Sequence, residues 1–383
     1  MLSRHLLPLA AAAVGISATT LDAVLDSQNA TLSILNNYLT SQQELFNTLI
    51  NTPNLTILAP SNDAINGLLA SEAFSAQLQA DPGILTAILK YHIFNGTYYT
   101  SNFTGAAAPV FVRTLMDNAT YSNVTGGQRV EARAQDGGVA FTSGLREEAA
   151  VRTSNFNYTG GTVHVIDSVL AIPANLTATL QAANLTAAIG ALRRAGVADS
   201  LGSGSEQLTV FAPSNGGFNA VGSLVAQMTA ADLERVLGYH VVRGRVMYSD
   251  LIAAANGSRQ AMQRGGDVEF RAVSDGEVAL FVNSARVVGR DLLFDNGVIQ
   301  VLDNVLNPAN TSAAPNPAAA TQAPAFSGAN TSAGGVPFTS GVPGPSATGA
   351  GGAAPTATAA APARTAALGV VALVGGAAVL VNL

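Results

Sequence analysis

The chain has 383 residues, 48% hydrophobic and 11% charged, with 18 basic and 24 acidic side chains for a net charge of −6. That length suits two or three domains, and the acidic balance leaves no basic footprint for nucleic acid. Cysteine is absent, which excludes a disulfide scaffold, thiolate metal sites and a Cys nucleophile. Four His (His5, His92, His164, His240) and one Lys, Lys90, leave little material for a His metal site, a proton relay or a Lys-bearing phosphate loop.

The N-terminus places Arg4 and His5 before an apolar run, Leu6 to Ile16, and the small pair Ser17-Ala18. This order reads as a secretory signal peptide over residues 1–18, with the mature chain starting near Thr19. Leu21, Val24 and Leu25, then Leu32, Leu35 and Leu39, then Leu45, Phe46 and Leu49 have the spacing of amphipathic helices. Leu55 to Ala59 reads as a short buried strand that Pro60 breaks. Ser61 then caps a helix carrying Ile65, Leu68 and Leu69. Val130–Ala134, Val139–Thr142 and Val163–Val169 read as strands, with Gly pairs between them. Leu185, Ile189 and Leu192 return to helical spacing, and Gly196 suits that helix's end. Helices first and strands later argue for an α+β fold rather than a doubly wound sheet.

No charged residue occurs from Asn307 to Ala363, a stretch dominated by Ala, Pro, Gly, Ser and Thr. Residues 309–352 therefore read as a disordered stalk. An uncharged apolar tail, Ala366 to Leu383, follows Arg364 and ends the sequence. Small residues, a spacer and a terminal apolar tail form a glycolipid (GPI) anchor signal, with Gly351 or Gly352 as the attachment residue and residues 353–383 removed. The alternative is a single membrane span near the lower length limit.

The body repeats. Leu55-Thr-Ile-Leu-Ala-Pro-Ser-Asn62 returns as Leu208-Thr-Val-Phe-Ala-Pro-Ser-Asn215. Leu89-Lys-Tyr-His-Ile93 returns as Leu237-Gly-Tyr-His-Val241, and Gly161–Leu170 returns as Gly297–Leu306. The separation shrinks along the chain, so the first copy carries extra loop residues. Two domain-sized units follow, 19–173 and 174–308, each far longer than a solenoid repeat. Twelve N-glycosylation acceptors lie at Asn29, Asn54, Asn95, Asn102, Asn118, Asn123, Asn157, Asn175, Asn184, Asn256, Asn310 and Asn330, as on a secreted glycoprotein. Asn54 leads into a strand and is expected to be partly buried; Asn184 is a candidate helix cap.

These motifs resemble the fasciclin-type adhesion domain. Its strand followed by Ala-Pro-Thr/Ser-Asn and a helix is similar to residues 55–69 and 208–222. Its Tyr-His pair is similar to Tyr91-His92 and Tyr239-His240, and its final Gly-Val-hydrophobic-His-Val-Ile-Asp-x-Val-Leu to 161–170 and 297–306. The resemblance spans about residues 19–308. It implies two tandem domains, each a β-sandwich or wedge flanked by helices, and an extracellular adhesion or matrix role, often with a glycolipid anchor. It also implies partner contact near Tyr91, His92, Tyr239 and His240, and more loosely at Asp250-Leu251-Ile252. Two departures stand out: Asp63 becomes Gly216, and His164 becomes Gln300.

Each site has a plainer reading. The Tyr-His pairs are partner contacts or, as the apolar residues before them favour, a core Tyr and a hydrogen-bonded His. Asp167 and Asp303 recur in the last strand, as a cation or ligand site or, preferably, an edge or turn hydrogen bond. No nucleophile elbow supports a hydrolytic triad, because Gly202-Ser203-Gly204-Ser205 lies in a linker-like segment. Glu131 and the pair Glu147-Glu148 read as a solvated face. No catalytic residue, metal or cofactor is expected. The expectation is a cell-surface adhesion or wall-organising glycoprotein on the outer leaflet or in the wall, and the Arg bias and Ala-rich tail suit a fungal surface. Its partners would be surface or matrix proteins, itself included, engaged through weak multivalent contacts. A polysaccharide-binding wall protein is the alternative, and a surface hydrolase stands third.

Overall fold

A computed structural model describes residues 19–106, 108–202, 206–275 and 277–345. The first domain opens with three helices, α1 (Leu21–Ser27), α2 (Asn29–Ser41) and α3 (Gln43–Asn51), and the strand β1 (Leu55–Pro60). Next come α4 (Asn62–Leu69), α5 (Glu72–Ala80), α6 (Ile84–Tyr91), β2 (Ile93–Asn95) and α7 (Thr100–Thr104). The remaining strands follow, β3 (Val110–Arg113), β4 (Arg129–Gln135), β5 (Gly138–Thr142), β6 (Glu148–Tyr158) and β7 (Gly161–Ile166).

The second domain repeats the plan. Its helices are α8 (Leu176–Ala182), α9 (Thr186–Ala195) and α10 (Ala198–Gly202), followed by β8 (Leu208–Pro213), α11 (Asn215–Ala220), α12 (Gly222–Val225) and α13 (Ala230–Gly238). Then come β9 (Val241–Arg243), α14 (Ser249–Ala254), β10 (Arg259–Ala261), β11 (Asp267–Asp275), β12 (Glu277–Val282), β13 (Ala285–Phe294) and β14 (Gly297–Leu302).

Each domain builds one seven-stranded sheet, ordered β2-β1-β7-β6-β5-β4-β3 and β10-β11-β12-β13-β14-β8-β9. β1 runs parallel to β7, and β8 parallel to β14; the other pairs are antiparallel. The first sheet curls until its edges meet, through a bridge between Phe94 and Thr114. In the second, the Gln263 amide donates to the Val241 carbonyl at 2.8 Å across the same gap. The α+β wedge flanked by helices is thus a single sheet rolled on itself, which leaves little exposed edge.

The repeated motifs make the folding joints. Pro60 and Pro213 end the parallel strands, and Ser61 and Ser214 cap the helices that follow, each hydroxyl accepting from an amide three residues on. Gly161 and Gly297 start β7 and β14 where a Cβ would sit 1.8 Å from the Leu55 carbonyl oxygen and 1.9 Å from that of Leu208. Only glycine allows that strand to pair there. Both halves of the wedge carry apolar cores, one beneath the helices and one inside the sheet.

The two domains share a further apolar cluster of Phe111 and Val124 with Val246, Tyr248, Leu293 and Val298. Phe111 stacks on Tyr248 at 4.5 Å between centroids, and the Arg129 guanidinium lies over the same ring at 5.1 Å. The Gln128 side-chain amide donates to the Phe294 carbonyl at 3.0 Å, the Asn123 amide to Asp295 O at 2.9 Å, and Arg146 to Arg290 O at 3.1 Å. A buried aromatic centre ringed by hydrogen bonds makes a fixed joint rather than a loose linker.

The expected stalk needs correction as far as residue 345. Residues 309–345 form no helix or strand, but they lie on the second domain. Asp303 accepts the Gln322 amide at 3.0 Å, and Asn304 donates to the carbonyls of Gln322 and Ala323. Phe326, Ala329, Val336, Phe338 and Val342 then pack on the core beneath the helices. Composition averaged over the stretch hides these few apolar anchors, and an extended chain needs no periodicity to use them. Residues 1–18, Gly351, Gly352 and the remainder of 346–383 lie outside the described residues. Among the described residues no helix is long and apolar enough to cross a membrane.

Candidate functional site

Tyr91 and Tyr239 are fully buried, and His92 and His240 are 2% exposed. Each His follows the last turn of a helix and spans two elements. The Leu170 amide donates to His92 Nε2 at 2.8 Å, so Nδ1 carries the proton and donates to the Ile88 carbonyl at 2.7 Å. His240 repeats this between the Leu306 amide (2.9 Å) and the Val236 carbonyl (2.7 Å). Burial pushes both imidazoles down to about 4, against the opposing effect of the helix carbonyls. Tyr91 Oη donates to Arg129 O and Tyr239 Oη to Asp267 O. As direct partner contacts these four residues are therefore displaced: their polar atoms are already spent inside the protein, and the rings have no route to a surface. Asp250 is half-buried beside the domain joint, its carboxylate accepting from the Leu251 amide at 2.7 Å.

The Asp167 and Asp303 carboxylates each bind a backbone amide of the neighbouring strand, Ala150 and Arg286, both at 2.8 Å. Asp167 also pairs with Arg152 at 2.6 Å. These are structural hydrogen bonds, as the plainer reading favours, but they run across to the neighbouring strand rather than within a turn.

The exchange of His164 for Gln300 preserves one circuit. His164 Nε2 meets the Tyr98 carbonyl at 2.8 Å, and Nδ1 accepts the Asn155 amide at 3.2 Å. Gln300 Nε2 donates to the Met247 carbonyl at 3.0 Å, and Oε1 accepts the Asp291 amide at 3.2 Å. Asn155 and Asp291 sit at matching irregularities of β6 and β13, with φ of 63° and 57°. Both residues supply the shared donor and acceptor, and Gln300 Nε2 donates a further bond to the Asp291 carboxylate at 2.7 Å, so proton transfer is not what the position requires. Sequence reasoning missed Thr56 and Thr209, buried hydroxyls that bridge a carbonyl and an amide on the loop after β2 and β9. Their identical position in both repeats was the available signal.

Glu131, read as part of a solvated face, is 8% exposed at the joint. Burial first, then the nearby Asp291 charge, pushes its carboxyl up to about 7. Among the described residues no three His, Asp or Glu are placed to hold a metal ion. A shallow pocket of about 300 Å³ is lined by Pro53, Asn54, Thr97, Tyr99, Asn157 and neighbouring backbone. Two glycan acceptors thus stand on its rim.

Of the twelve acceptors, nine are exposed and three, Asn123, Asn184 and Asn310, are half-buried. Asn54, expected to be partly buried, is exposed. Asn175 rather than Asn184 caps a helix, accepting the Ala178 amide at 2.9 Å.

The family model of the fasciclin domain matches residues 30–173 and 183–308. The chain belongs to the fasciclin-domain family. Among its relatives is a fasciclin-like arabinogalactan protein of Arthroderma benhamiae, 35% identical over 84% of this chain and 74% of that protein. Another, the fasciclin-like arabinogalactan protein elcF of Phaeosphaeria nodorum, is 30% identical over 73% of this chain and 86% of its own. A solved fasciclin domain pair from the insect cell adhesion molecule fasciclin I covers 73% of this chain and 98% of its own. It is 18% identical, with a TM-score of 0.36. In both fasciclin domains here the signature residues are the joints of the fold, so a partner surface has to be sought outside them.

Proposed function

We propose that this fasciclin-domain protein is a cell-surface or wall-associated glycoprotein. Its two domains act as one rigid adhesive head, with weak multivalent contacts to surface or matrix proteins or to further copies of itself. The observation that carries the reading is the pairing of two fasciclin domains through a buried aromatic joint. Adhesion by weak sites gains most when their relative placement is fixed, because the second contact then costs little extra ordering. The exposed glycan acceptors and the relatives' names support a surface or wall location. A secretory leader over residues 1–18 and a lipid anchor at Gly351 or Gly352 would deliver and hold the head there.

The test is clumping of beads coated with the full secreted chain, carrying its N-glycans or stripped of them. Clumping through the protein in both states supports homophilic adhesion. Dispersed beads that bind partner cells support heterophilic contact. Dispersed beads that bind wall polysaccharide alone favour the glycan-binding alternative, for which exposed Tyr99 at the pocket rim offers a sugar-stacking face. Beads inert to all three refute the adhesive reading.

A further inference from the structure

The last described segment lies in a groove that only the second domain can offer. Gly190 on α9 faces the Phe338 backbone so closely that a Cβ would stand 1.8 Å from its carbonyl oxygen. Gly222, opening α12, faces Ser332, and a Cβ there would stand 2.6 Å from that side chain. The Phe338 ring meets Phe218 edge-on at 5.8 Å, and the Arg194 guanidinium lies 5.7 Å over its face. The Asn330 carbonyl accepts the Ser223 amide at 3.0 Å, and its own amide donates to Ser223 Oγ at 3.0 Å.

The first domain lacks the same groove. Asn62 and Asn215 hold equivalent places in the repeated motif, accepting the amides of Ile34 and Ala187. Counting from those pairs, Asn37 stands where the second domain has Gly190, and Leu69 where it has Gly222. Both are exposed side chains on an uncovered helical face. The second domain therefore has no side chain at the two points where a peptide backbone passes.

The seat is specific but incomplete. Residues 326–342 are uncharged and lack regular structure, and a pocket of about 310 Å³ remains between the segment and the domain at Arg194 and Ala226. Such a contact is released far more easily than a core strand. We propose that this groove is a peptide-recognition site for an extended, uncharged segment centred on the Phe338 ring and flanked by Phe326, Ala329, Val336 and Val342, filled in cis by residues 326–342. When that segment is released, the same residues of a second copy take its place. Exchange of an identical segment needs no new surface, because the cis and trans contacts are the same. The proposal names the contact for the homophilic form of the adhesive reading and rests on that reading only for its role between cells.

The experiment uses full chains carrying Phe338→Ala, which removes the central ring and loosens the cis segment, or Gly190→Asn, which closes the groove with the first domain's residue. A labelled synthetic peptide of residues 324–344 is titrated against each by anisotropy. The expected result is binding to F338A about tenfold or more tighter than to wild type, whose site is filled, and none to G190N. Mixing F338A with G190N should yield a one-to-one heterodimer in sedimentation, while each alone stays monomeric. Chymotrypsin should cut after Phe338 faster in G190N than in wild type. Equal peptide binding by wild type and F338A overturns the proposal, as does no binding to F338A. Circular dichroism checks that the variants fold, and Gly222→Leu replaces G190N if the latter does not. Bead clumping is read separately, so a heterodimer without clumping keeps the groove and removes the adhesive role, and clumping without a heterodimer does the reverse.

Discussion

Replacing His240 by Gln isolates what the buried imidazole contributes. In the fold its pKa is about 4, and burial is the dominant cause. In the unfolded chain it returns to about 6.5. As pH falls, the unfolded state takes the proton first. The stability tied to a neutral His240 is thus full above about pH 6.5 and lost progressively down to about pH 4. The complete loss is about 3 kcal/mol, of which about 2 kcal/mol falls between pH 7 and pH 4.5. Gln has the needed donor and acceptor, as Gln300 demonstrates in place of His164. H240Q should keep the link between the Leu306 amide and the Val236 carbonyl but not titrate. Wild type also contains Glu131, raised to about 7, and Asp295, raised to about 6. These act in the opposite direction over the same window. Taking the difference between wild type and H240Q at each pH cancels them. Urea unfolding followed by circular dichroism at pH 7 and pH 4.5 measures it. The gap should move in favour of H240Q by about 2 kcal/mol on acidification. Parallel pH dependences would mean that His240 is not held neutral, and the bridging argument would fail.

Glu131→Gln tests the joint from the other side. The raised carboxyl adds stability below its ordinary range that is lost as pH rises through about 7, so E131Q should exceed wild type by about 2–3 kcal/mol at pH 8 and match it at pH 4.5. Denaturation at the two pH values checks this. Phe111→Ala removes the stack on Tyr248 and should cost about 3 kcal/mol at the joint. Calorimetry should then show two transitions where wild type shows one. Gln300→His restores the residue of the first domain and keeps one donor and one acceptor, but it removes the 2.7 Å bond from Gln300 Nε2 to the buried Asp291 carboxylate, so thermal unfolding should show a loss of about 1–3 kcal/mol.

Much of the fold is legible locally. Pro60 and Pro213, Ser61 and Ser214, and Gly196 mark strand ends, a helix start and a helix end through effects that reach only three or four residues. The strand β6 is less legible: between buried Ala149 and Tyr158 its residues are half-buried or exposed, and the irregularity near Asn155 blurs the two-residue alternation. The candidate site was only partly readable. Tyr-His recurs visibly, but recurrence marks a fold joint as readily as a binding face.

The sequence alone settled that two similar α+β domains follow one another and where their joints lie, because helix spacing, caps and breakers act within a few residues. The tertiary structure decided what distant residues do. The ring of His92 finds its second partner 78 residues away, and Glu131 changes character through burial and the charge of Asp291 in the second domain. The fate of residues 326–342 turned on two missing side chains, Gly190 and Gly222, in another part of the chain. No local pattern encodes the room that an absent Cβ leaves for a segment more than a hundred residues later.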